Sequence, residues 1–249
     1  MQHTPYGPPR QYVDAPLRSG ARIELDEPAA HHVARVLRMH AGDRLVLFDG
    51  SGGEYEASIT AFERSRVVVM VGAHRPLERE ARVAITVVQG ISSADRMDLS
   101  VQKSVELGVY AIQPVMCERS VVRLNAERAA SRLEHWRRIV VATCEQCGRN
   151  RLPEVRPVLG VPAYCARPDP VAPRLLFSPE TEVRLTEAAA RIADHAVIAL
   201  GPEAGFSPAE EAMLMSAGFS QVSLGARILR TETAAPAALA ALLALKGEY

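Results

Sequence analysis

The sequence has few cysteines and no long hydrophobic run. The four cysteines, at positions 117, 144, 147 and 165, lack the density and the regular spacing of a secreted disulfide scaffold. Prolines and charges interrupt the first 20 residues before an apolar run of signal-peptide length forms, and no other segment is a convincing membrane span. We therefore expect a cytoplasmic protein that does not enter the membrane.

The signatures of several common cofactor and metal sites are missing. The segment Gln89–Asp95 follows a predicted strand but lacks the G-x-G-x-x-G dinucleotide fingerprint, and neither a G-x-x-x-x-G-K-[ST] phosphate loop nor a G-x-S-x-G nucleophile elbow occurs. Cys144 and Cys147 have no second pair at zinc-site spacing, and no carboxylate cluster accompanies His31 and His32. We therefore expect no bound metal and interpret the paired cysteines as core thiols.

Lysine is almost absent, and arginine takes its place. Only two of the 29 basic residues are lysines, and 29 acidic residues bring the net charge to zero, so the total charge does not indicate a nucleic-acid binder. Between Arg119 and Arg156, however, nine arginines stand against four glutamates. Because the guanidinium fork suits bidentate phosphate contacts, this cluster favours phosphate binding, although a biased genomic base composition can also produce the overall preference for arginine.

The N-terminal part of the chain is rich in predicted strands. Short apolar runs predict three of them, at Arg44–Asp49, Tyr55–Ala61 and Val67–Val71. The glycine-rich Asp49–Gly53 predicts a hairpin turn, and Glu27-Pro28 opens a short helix that ends near Gly42. The polar segment 74–81 has neither helical nor strand periodicity. We therefore predict a small barrel-like domain at 1–73, a linker at 74–81 and a second domain at 82–249.

From Arg82 onward the predicted strands alternate with helices, which is typical of a mostly parallel sheet covered on both faces. The strands are predicted at Val83–Gln89, Tyr110–Val115, Leu175–Phe177, Ala196–Leu200 and Gln221–Leu224. Asp95 can cap a helix that runs to Leu107, and a longer helix has apolar residues every three or four positions from Ala129 to Cys147. The last helix, at 233–246, is almost wholly alanine and leucine, so it must be buried.

Two strand-to-helix crossovers stand out in this second domain. Leu200–Pro208 contains a glycine-rich turn, and Ser207 and Glu210 form a capping box that fixes where the next helix begins. Leu224–Ala234 carries two arginines, one glutamate and two threonines. Because ligands bind outside the carboxyl ends of strands in such sheets, the two crossovers predict one shared pocket. The alternative is that they are ordinary turns with a surface ion-pair cluster.

Several motifs occur in a fixed order along nearly the whole chain. They are Arg35-Val36-Leu37-Arg38, Gly42-Asp43, Gln102-Lys103, Glu106-Leu107-Gly108-Val109, Glu118-Arg119-Ser120, Glu145-Gln146-Cys147-Gly148-Arg149, Gly201-Pro202-Glu203, Leu224-Gly225 and Arg227-Ile228-Leu229-Arg230-Thr231-Glu232-Thr233-Ala234. Together they resemble the bacterial 16S ribosomal RNA (uracil-N3)-methyltransferase family of the SPOUT class. The resemblance implies an α/β protein in which a small PUA-like β-barrel for RNA precedes a mostly parallel sheet with a deep trefoil knot.

The same resemblance implies S-adenosylmethionine as cofactor, 16S rRNA of the small ribosomal subunit as partner, and a homodimer. The implied cofactor pocket combines the end of one strand with the two crossovers. Its residues are Leu176, Phe177, Leu200, Gly201, Pro202, Glu203, Gly205, Leu224, Gly225, Ile228, Leu229, Arg230, Thr231 and Thr233.

The chain departs from the family pattern at two places. Family members usually have two glycines after the glutamate of the first crossover, whereas Ala204 takes the first of these positions. The loop after the first strand of the second domain commonly carries a lysine, and Ser92-Ser93 stands there instead. The first departure affects the detailed turn geometry but not the pocket, and any substrate role of that lysine is absent here or moved to another residue.

The implied reaction is methyl transfer to N3 of a uridine. Since N3 carries a proton, we expect Arg230 to stabilise charge that develops on the uracil carbonyls and Glu232 to orient that arginine, while the sequence identifies no general base. The candidates for phosphate contacts are Arg10, Arg35, Arg38, Arg119, Arg123 and Arg149. Three alternatives stay open: a non-catalytic RNA-binding or ribosome-assembly protein, a related methyltransferase acting on ribose or tRNA, and a dehydrogenase.

Overall fold

The computed structural model describes residues 7–63, 66–167 and 172–249, which form two compact units. The first unit comprises residues up to Glu80 together with Val141–Leu152, and the second comprises Ala81–Val140 and Pro153–Tyr249. The segment 141–152 therefore clusters with the N-terminal part of the chain, whereas the sequence placed it with the second domain.

The N-terminal part of the first unit contains a five-stranded sheet and two short helical segments. Its elements are β1 (Arg10–Tyr12), β2 (Arg22–Glu24), α1 (Glu27–His31), a π-helix (His32–Val36), β3 (Arg44–Phe48), β4 (Glu54–Glu63) and β5 (Arg66–Arg75). The strand order is β1-β3-β4-β5-β2, and β3, β4 and β5 pair antiparallel, as the predicted hairpin requires. β5 extends two residues into the predicted linker, because His74 and Arg75 still pair with Tyr55 and Glu54.

The predicted single helix is two shorter segments. Asp26 caps α1 by accepting a hydrogen bond of 2.9 Å from the Ala29 amide. After one turn the backbone hydrogen bonds change from the α-helical to the π-helical spacing. The π-helix ends just before Arg38, which adopts a φ of +52°. Arg38 is the one described residue other than glycine with a positive φ, and such backbone strain clusters at functional sites.

The segment 141–152 belongs to the first unit because its polar side chains are satisfied there. Glu145 accepts hydrogen bonds from the Gln11 side chain at 2.7 Å and from the Tyr12 amide at 2.9 Å. Asn150 is fully buried and donates to the Leu77 carbonyl at 2.6 Å. Apolar periodicity alone could not reveal these contacts, because each depends on a polar side chain at the end of a helix.

The second unit alternates strands and helices. Its strands are β6 (Ala84–Gly90), β7 (Ala111–Met116), β8 (Glu154–Val155), β9 (Leu159–Gly160), β10 (Arg174–Phe177), β11 (His195–Leu200) and β12 (Phe219–Val222). Its helices are α2 (Ala94–Glu106), the first part of α3 (Ala126–Cys147), α4 (Val161–Cys165), α5 (Leu185–Ala189), α6 (Pro208–Ser216) and α7 (Thr231–Leu245). The N-cap of α2 is Ser93 rather than the predicted Asp95, which lies in the first turn.

All described strand pairs of this unit's sheet are parallel, in agreement with the mostly parallel sheet predicted. Its order is β12-β10-β11-β6-β7-β8, with β9 also paired to β7. The strands β6, β10, β11 and β12 are consecutive neighbours, so their carboxyl ends lie at one edge. Helix α7 packs on α2 and on β6 and β11, and it buries Ala235, Leu239, Leu242 and Leu243. The deep knot stays a prediction.

In the described ranges, no helix combines the length and the apolar character needed to cross a membrane.

Candidate active site

A cavity of about 500 Å³ lies at the carboxyl edge of the parallel sheet. The loops after β10, β11 and β12 form most of its wall, and residues of α2, α6, α7 and the loop after β7 complete it. The lining residues are Arg96, Arg119, Phe177–Glu180, Leu200–Phe206, Glu211, Leu224, Gly225, Arg227–Thr231 and Ala234. The cavity is therefore the shared pocket that the two crossovers predict.

The loop after β11 packs its backbone tightly against the end of β6. A Cβ atom on Gly90 would lie 2.5 Å from the Pro202 nitrogen, and one on Gly201 would lie 2.8 Å from the Gly205 Cα. Gly205 also has a φ of +70°, whereas Ala204 is outside the positive-φ region. Only the second position of the pair therefore requires glycine, which explains why the chain tolerates alanine at the first.

The loop after β12 is open towards solvent. Gly225 has a φ of +98°, and its amide donates a hydrogen bond of 3.0 Å to the Ser223 hydroxyl, which closes a tight turn. The side chains that follow are largely exposed, and Ile228 is 86% accessible although it lines the cavity. Arg230 is exposed as well, and no other described side chain pairs with its guanidinium.

A buried hydrogen-bond network joins the start of α7 to the loop after β11. The Thr231 hydroxyl donates to the Gly201 carbonyl at 2.9 Å and accepts from the Gln89 amide nitrogen at 3.1 Å. The Ser100 hydroxyl donates to the Gln89 oxygen at 3.2 Å. Since Gln89 is 1% exposed, this network fixes the cavity wall from beneath.

Two carboxylates lie on either side of Arg96. Its Nη1 is 3.3 Å from Glu203 Oε1, and its Nε is 3.9 Å from Glu232 Oε2. Glu203 Oε1 also accepts hydrogen bonds of 2.9 Å from both the amide and the hydroxyl of Ser93. The structure thus pairs Glu232 with Arg96 and not with Arg230, so the predicted orienting role of Glu232 is not supported by a contact.

The environment of Glu203 keeps its carboxyl group ionised. Burial raises the pKa of Glu203, but the hydrogen bonds from Ser93 and the charge of Arg96 outweigh it and leave that pKa below the ordinary value. The second departure from the family pattern therefore has a structural use in this chain, because Ser93 holds the carboxylate of the other loop.

Most of the predicted cofactor residues line the cavity. They are Phe177, Leu200, Gly201, Pro202, Glu203, Gly205, Leu224, Gly225, Ile228, Leu229, Arg230 and Thr231. Leu176 does not, because its side chain points into the apolar core and is fully buried. Thr233 does not either, since it is an exposed residue in the first turn of α7.

Sequence reasoning missed several residues of the cavity and its support. They include Gln89 in β6, Ser93 at the N-cap of α2 and Arg96 in the first turn of α2. The segment that joins β6 to α2 lacks any known fingerprint. The available signal was positional, because polar residues at the carboxyl end of a central parallel strand are candidates for a site.

In the first unit, the structure divides the predicted phosphate contacts into two groups. Arg149 is 4% exposed and forms a bidentate ion pair with Glu80. The Arg10 guanidinium donates hydrogen bonds of 2.5 Å to the side-chain oxygens of both Glu54 and Asn150. These two arginines hold the unit together, so we remove them from the RNA-contact set. Arg35 and Arg38 are exposed and stay in it.

In the second unit, Arg119 and Arg123 lie on the loop after β7. Arg119 lines the cavity and donates to the Ala204 and Phe206 carbonyls at 3.4 and 3.3 Å. Arg123 is exposed, and its guanidinium donates to the Cys117 carbonyl at 3.1 Å. Both can still meet a phosphate, because a guanidinium has five donors and these contacts use only some of them.

Comparison with known proteins places these features in a family. The model of an RNA methyltransferase domain matches residues 79–243, and the model of an RNA methyltransferase PUA domain matches residues 25–70. The ribosomal RNA small subunit methyltransferase E of Buchnera aphidicola subsp. Schizaphis graminum is 32% identical over 94% of this chain and 95% of its own length.

Two solved structures share the fold over nearly the whole chain. The ribosomal RNA small subunit methyltransferase E of Neisseria gonorrhoeae, bound to S-adenosylmethionine, superposes with a TM-score of 0.88 at 39% identity, covering 96% of this chain and 98% of that one. A methyltransferase from Legionella pneumophila, in complex with the same cofactor, superposes with a TM-score of 0.91 at 35% identity, covering 95% and 97%. The chain therefore belongs to the RNA methyltransferase family that includes ribosomal RNA small subunit methyltransferase E, and it is a methyltransferase.

Proposed function

We propose that the protein transfers a methyl group from S-adenosylmethionine to N3 of a uridine in 16S rRNA of the small ribosomal subunit. The observation that carries the proposal is the cavity, whose wall combines the loops after β10, β11 and β12. Relatives over nearly the whole chain are named ribosomal RNA small subunit methyltransferase E, and the one from Neisseria gonorrhoeae was crystallised with S-adenosylmethionine, as was the Legionella pneumophila methyltransferase. The N3 position comes from the resemblance of the motifs to the uracil-N3 family.

The residues of the cavity fit this cofactor. A volume of about 500 Å³ lies in the usual range for a small-molecule site, roughly 300 to 1,000 Å³. Leu200, Leu224 and Leu229 offer apolar surface for an adenine ring, and the bare backbone at Gly201 and Gly205 allows a close approach of polar ligand groups. When bound, S-adenosylmethionine supplies an electrophilic methyl group on a positively charged sulfur.

The acceptor nitrogen sets two further requirements. Uracil N3 lies on the base-pairing edge, so the uridine must be unpaired or flipped out before it can enter the cavity. It must also lose a proton, and the negative charge that develops on the uracil carbonyl oxygens needs a cation. Arg230 is exposed, lines the cavity and has no described partner for its guanidinium, so we assign it this stabilising role.

RNA contacts are assigned to the exposed arginines of each unit. Arg35 and Arg38 flank the end of the π-helix in the first unit, and Arg119 and Arg123 lie on the loop after β7 in the second. The remaining expectations from the resemblance are a homodimer in the cytoplasm that acts on the assembled small subunit. Sedimentation of the purified protein tests the dimer.

The proposed function is tested by label transfer. The protein is incubated with S-adenosylmethionine carrying a labelled methyl group and with small ribosomal subunits that lack their base methylations. We expect RNA-bound label that saturates near one methyl per subunit, with naked 16S rRNA as the comparison acceptor. Saturable cofactor binding without any label transfer to either acceptor would contradict the proposal and favour a different RNA or a non-catalytic role.

A further inference from the structure

Three charged side chains form a cluster at one wall of the cavity. The Arg96 cluster consists of Arg96, Glu203 and Glu232, with the guanidinium between the two carboxylates at 3.3 and 3.9 Å. Arg96 and Glu203 line the cavity itself, and the Glu232 side chain is 15% exposed behind them. With both carboxylates ionised, the cluster carries one net negative charge.

The negative charge of this cluster is incompletely compensated within the described structure. Glu203 Oε1 has three donors nearby, whereas Glu203 Oε2 and Glu232 Oε2 are buried oxygens without a hydrogen-bond partner. Arg96 approaches Glu232 Oε2 only to 3.9 Å, which is beyond hydrogen-bond length. A buried carboxylate oxygen without a donor is costly, so it calls for a function.

Helix capping explains part of this arrangement. Glu203 accepts a hydrogen bond from the Ser93 amide at the start of α2. Glu232 lies in the first turn of α7, where carboxylates interact favourably with the helix dipole. Capping of α2 uses only Glu203 Oε1, however. It leaves both Oε2 atoms, and their position beside a cavity for a cationic ligand, without an explanation.

The methyl donor and the product it leaves differ in charge. S-adenosylmethionine carries a positive sulfonium, whereas S-adenosylhomocysteine has a neutral thioether at the same place, and both share the same α-ammonium and carboxylate. Building on the function proposed above, we infer that the net negative charge of the Arg96 cluster favours the cationic donor over the neutral product, against the opposing charge of Arg119, Arg227 and Arg230 in the same cavity wall.

The effect does not require direct contact between the cluster and the sulfonium. At an effective dielectric constant of about 20, one unit charge changes an ionic affinity tenfold at a separation of roughly 12 Å. Arg96 and Glu203 line the cavity, so a sulfonium bound at their side of it lies within such a distance. The preference helps turnover, because the product loses this attraction once the methyl group has left.

The test is a charge series measured by calorimetric binding without RNA. Glu203→Gln and Glu232→Gln bring the cluster to zero, the double variant brings it to plus one, and Arg96→Gln measured at pH 8 brings it to minus two. Ser93→Ala is the matched control, because it removes a hydrogen bond to Glu203 without changing any charge. Circular dichroism checks that each variant is folded.

We expect the dissociation constant of the product divided by that of the donor to rise as the cluster becomes more negative. Each carboxylate removed should lower it several-fold to about tenfold, Arg96→Gln should raise it, and Ser93→Ala should weaken both ligands alike. A constant ratio across folded variants, with both affinities falling together, would overturn the inference and assign the cluster to the shared α-ammonium or to capping. A wild-type protein that bound neither ligand would instead overturn the proposed function.

Discussion

The hydroxyl of Thr231 donates a hydrogen bond of 2.9 Å to the carbonyl of Gly201. This bond joins the first residue of α7 to the loop after β11, which are 30 positions apart in the sequence. It links the two crossovers whose residues line the cavity, so the shape of the pocket depends on it.

Replacing Thr231 by valine should weaken cofactor binding. The change keeps the branched shape but removes the only hydroxyl that satisfies both the Gly201 carbonyl and the Gln89 amide in this buried network. The Gln89 amide still donates to the Gly90 carbonyl at 3.0 Å, so the loss falls mainly on the Gly201 carbonyl, which keeps only a 3.5 Å contact with Gln89. An under-satisfied buried carbonyl costs about 1 to 3 kcal/mol, so we expect a loss of roughly tenfold in affinity for S-adenosylmethionine. Calorimetry measures it, and Thr231→Ser is the control that should bind nearly normally. Equal affinities for valine and threonine would show that the link is dispensable.

Gly201→Ala should close the cofactor site. The added Cβ would lie 2.8 to 2.9 Å from backbone atoms of Gly205 and Phe206, and backbone cannot move aside cheaply. We expect a folded protein with at least about tenfold weaker cofactor binding, because the loop after β11 has to shift. Ala204→Gly is the neighbouring control, since that position needs no positive φ. Comparable losses in the two variants would refute the steric explanation.

Arg230→Ala should reduce turnover far more than cofactor affinity. If its guanidinium stabilises charge on the uracil, its loss should lower kcat by about 100- to 1,000-fold while the dissociation constant of S-adenosylmethionine changes only a few-fold. Single-turnover methylation and calorimetry separate the two effects. Arg191, which is exposed on another surface, provides the arginine-to-alanine control. Near-normal turnover in Arg230→Ala would remove this residue from the mechanism.

Arg38→Gly should stabilise the first unit and weaken RNA binding. Glycine adopts a φ of +52° without the strain that an L side chain carries, so we expect a gain of up to about 1 kcal/mol in local stability. If Arg38 contacts a phosphate, the slope of log affinity against log salt should fall by about 0.7 to 0.9. Hydrogen exchange and salt-dependent RNA binding measure the two effects, with Arg22→Ala as the control. An unchanged slope would mean that Arg38 is not a phosphate contact.

The first unit should lose stability in acid through Glu54. Burial raises the pKa of this carboxyl, but the hydrogen bond and charge of Arg10, with hydrogen bonds from Asn150 and Arg79, bring the pKa below its ordinary 4.5. A depressed pKa means that the unfolded state binds the proton more readily, so this stabilisation is present above pH 4.5 and is lost as the pH falls through the folded-state pKa.

Glu54→Gln should therefore flatten that acid dependence. Hydrogen exchange of the β4 and β5 amides at several pH values from 6 downward measures it, and Glu63→Gln, at the exposed end of β4, is the control. An equally steep decline in Glu54→Gln and the wild-type protein would show that other groups cause the acid sensitivity.

The alternation of strands and helices could be predicted from the sequence because it depends on local apolar patterns. The strands of the second unit from β6 to β12, except for the two-residue β8 and β9, lie within a few residues of the predicted positions. The capping box of Ser207 and Glu210 forms as predicted, with both of its hydrogen bonds present. Those features need only neighbours in the chain.

The roles of single charged residues could not be predicted in the same way. Arg10 and Arg149 look like surface arginines in the sequence, and only the fold brings Glu54 and Glu80 to them. Arg96 has no motif that marks it, yet two carboxylates distant in the sequence, one from the loop after β11 and one from the first turn of α7, converge on it. An arginine's partner is a long-range property, and no local pattern records it.

The measurement that tests the account most directly is mass spectrometry of the nucleosides from small subunits treated with wild-type protein and with Gly201→Ala. The account predicts 3-methyluridine after treatment with the wild-type protein and little or none with the variant. A different methylated nucleoside would contradict the substrate assignment. Equal amounts of 3-methyluridine from both proteins would contradict the placement of the reaction in this cavity.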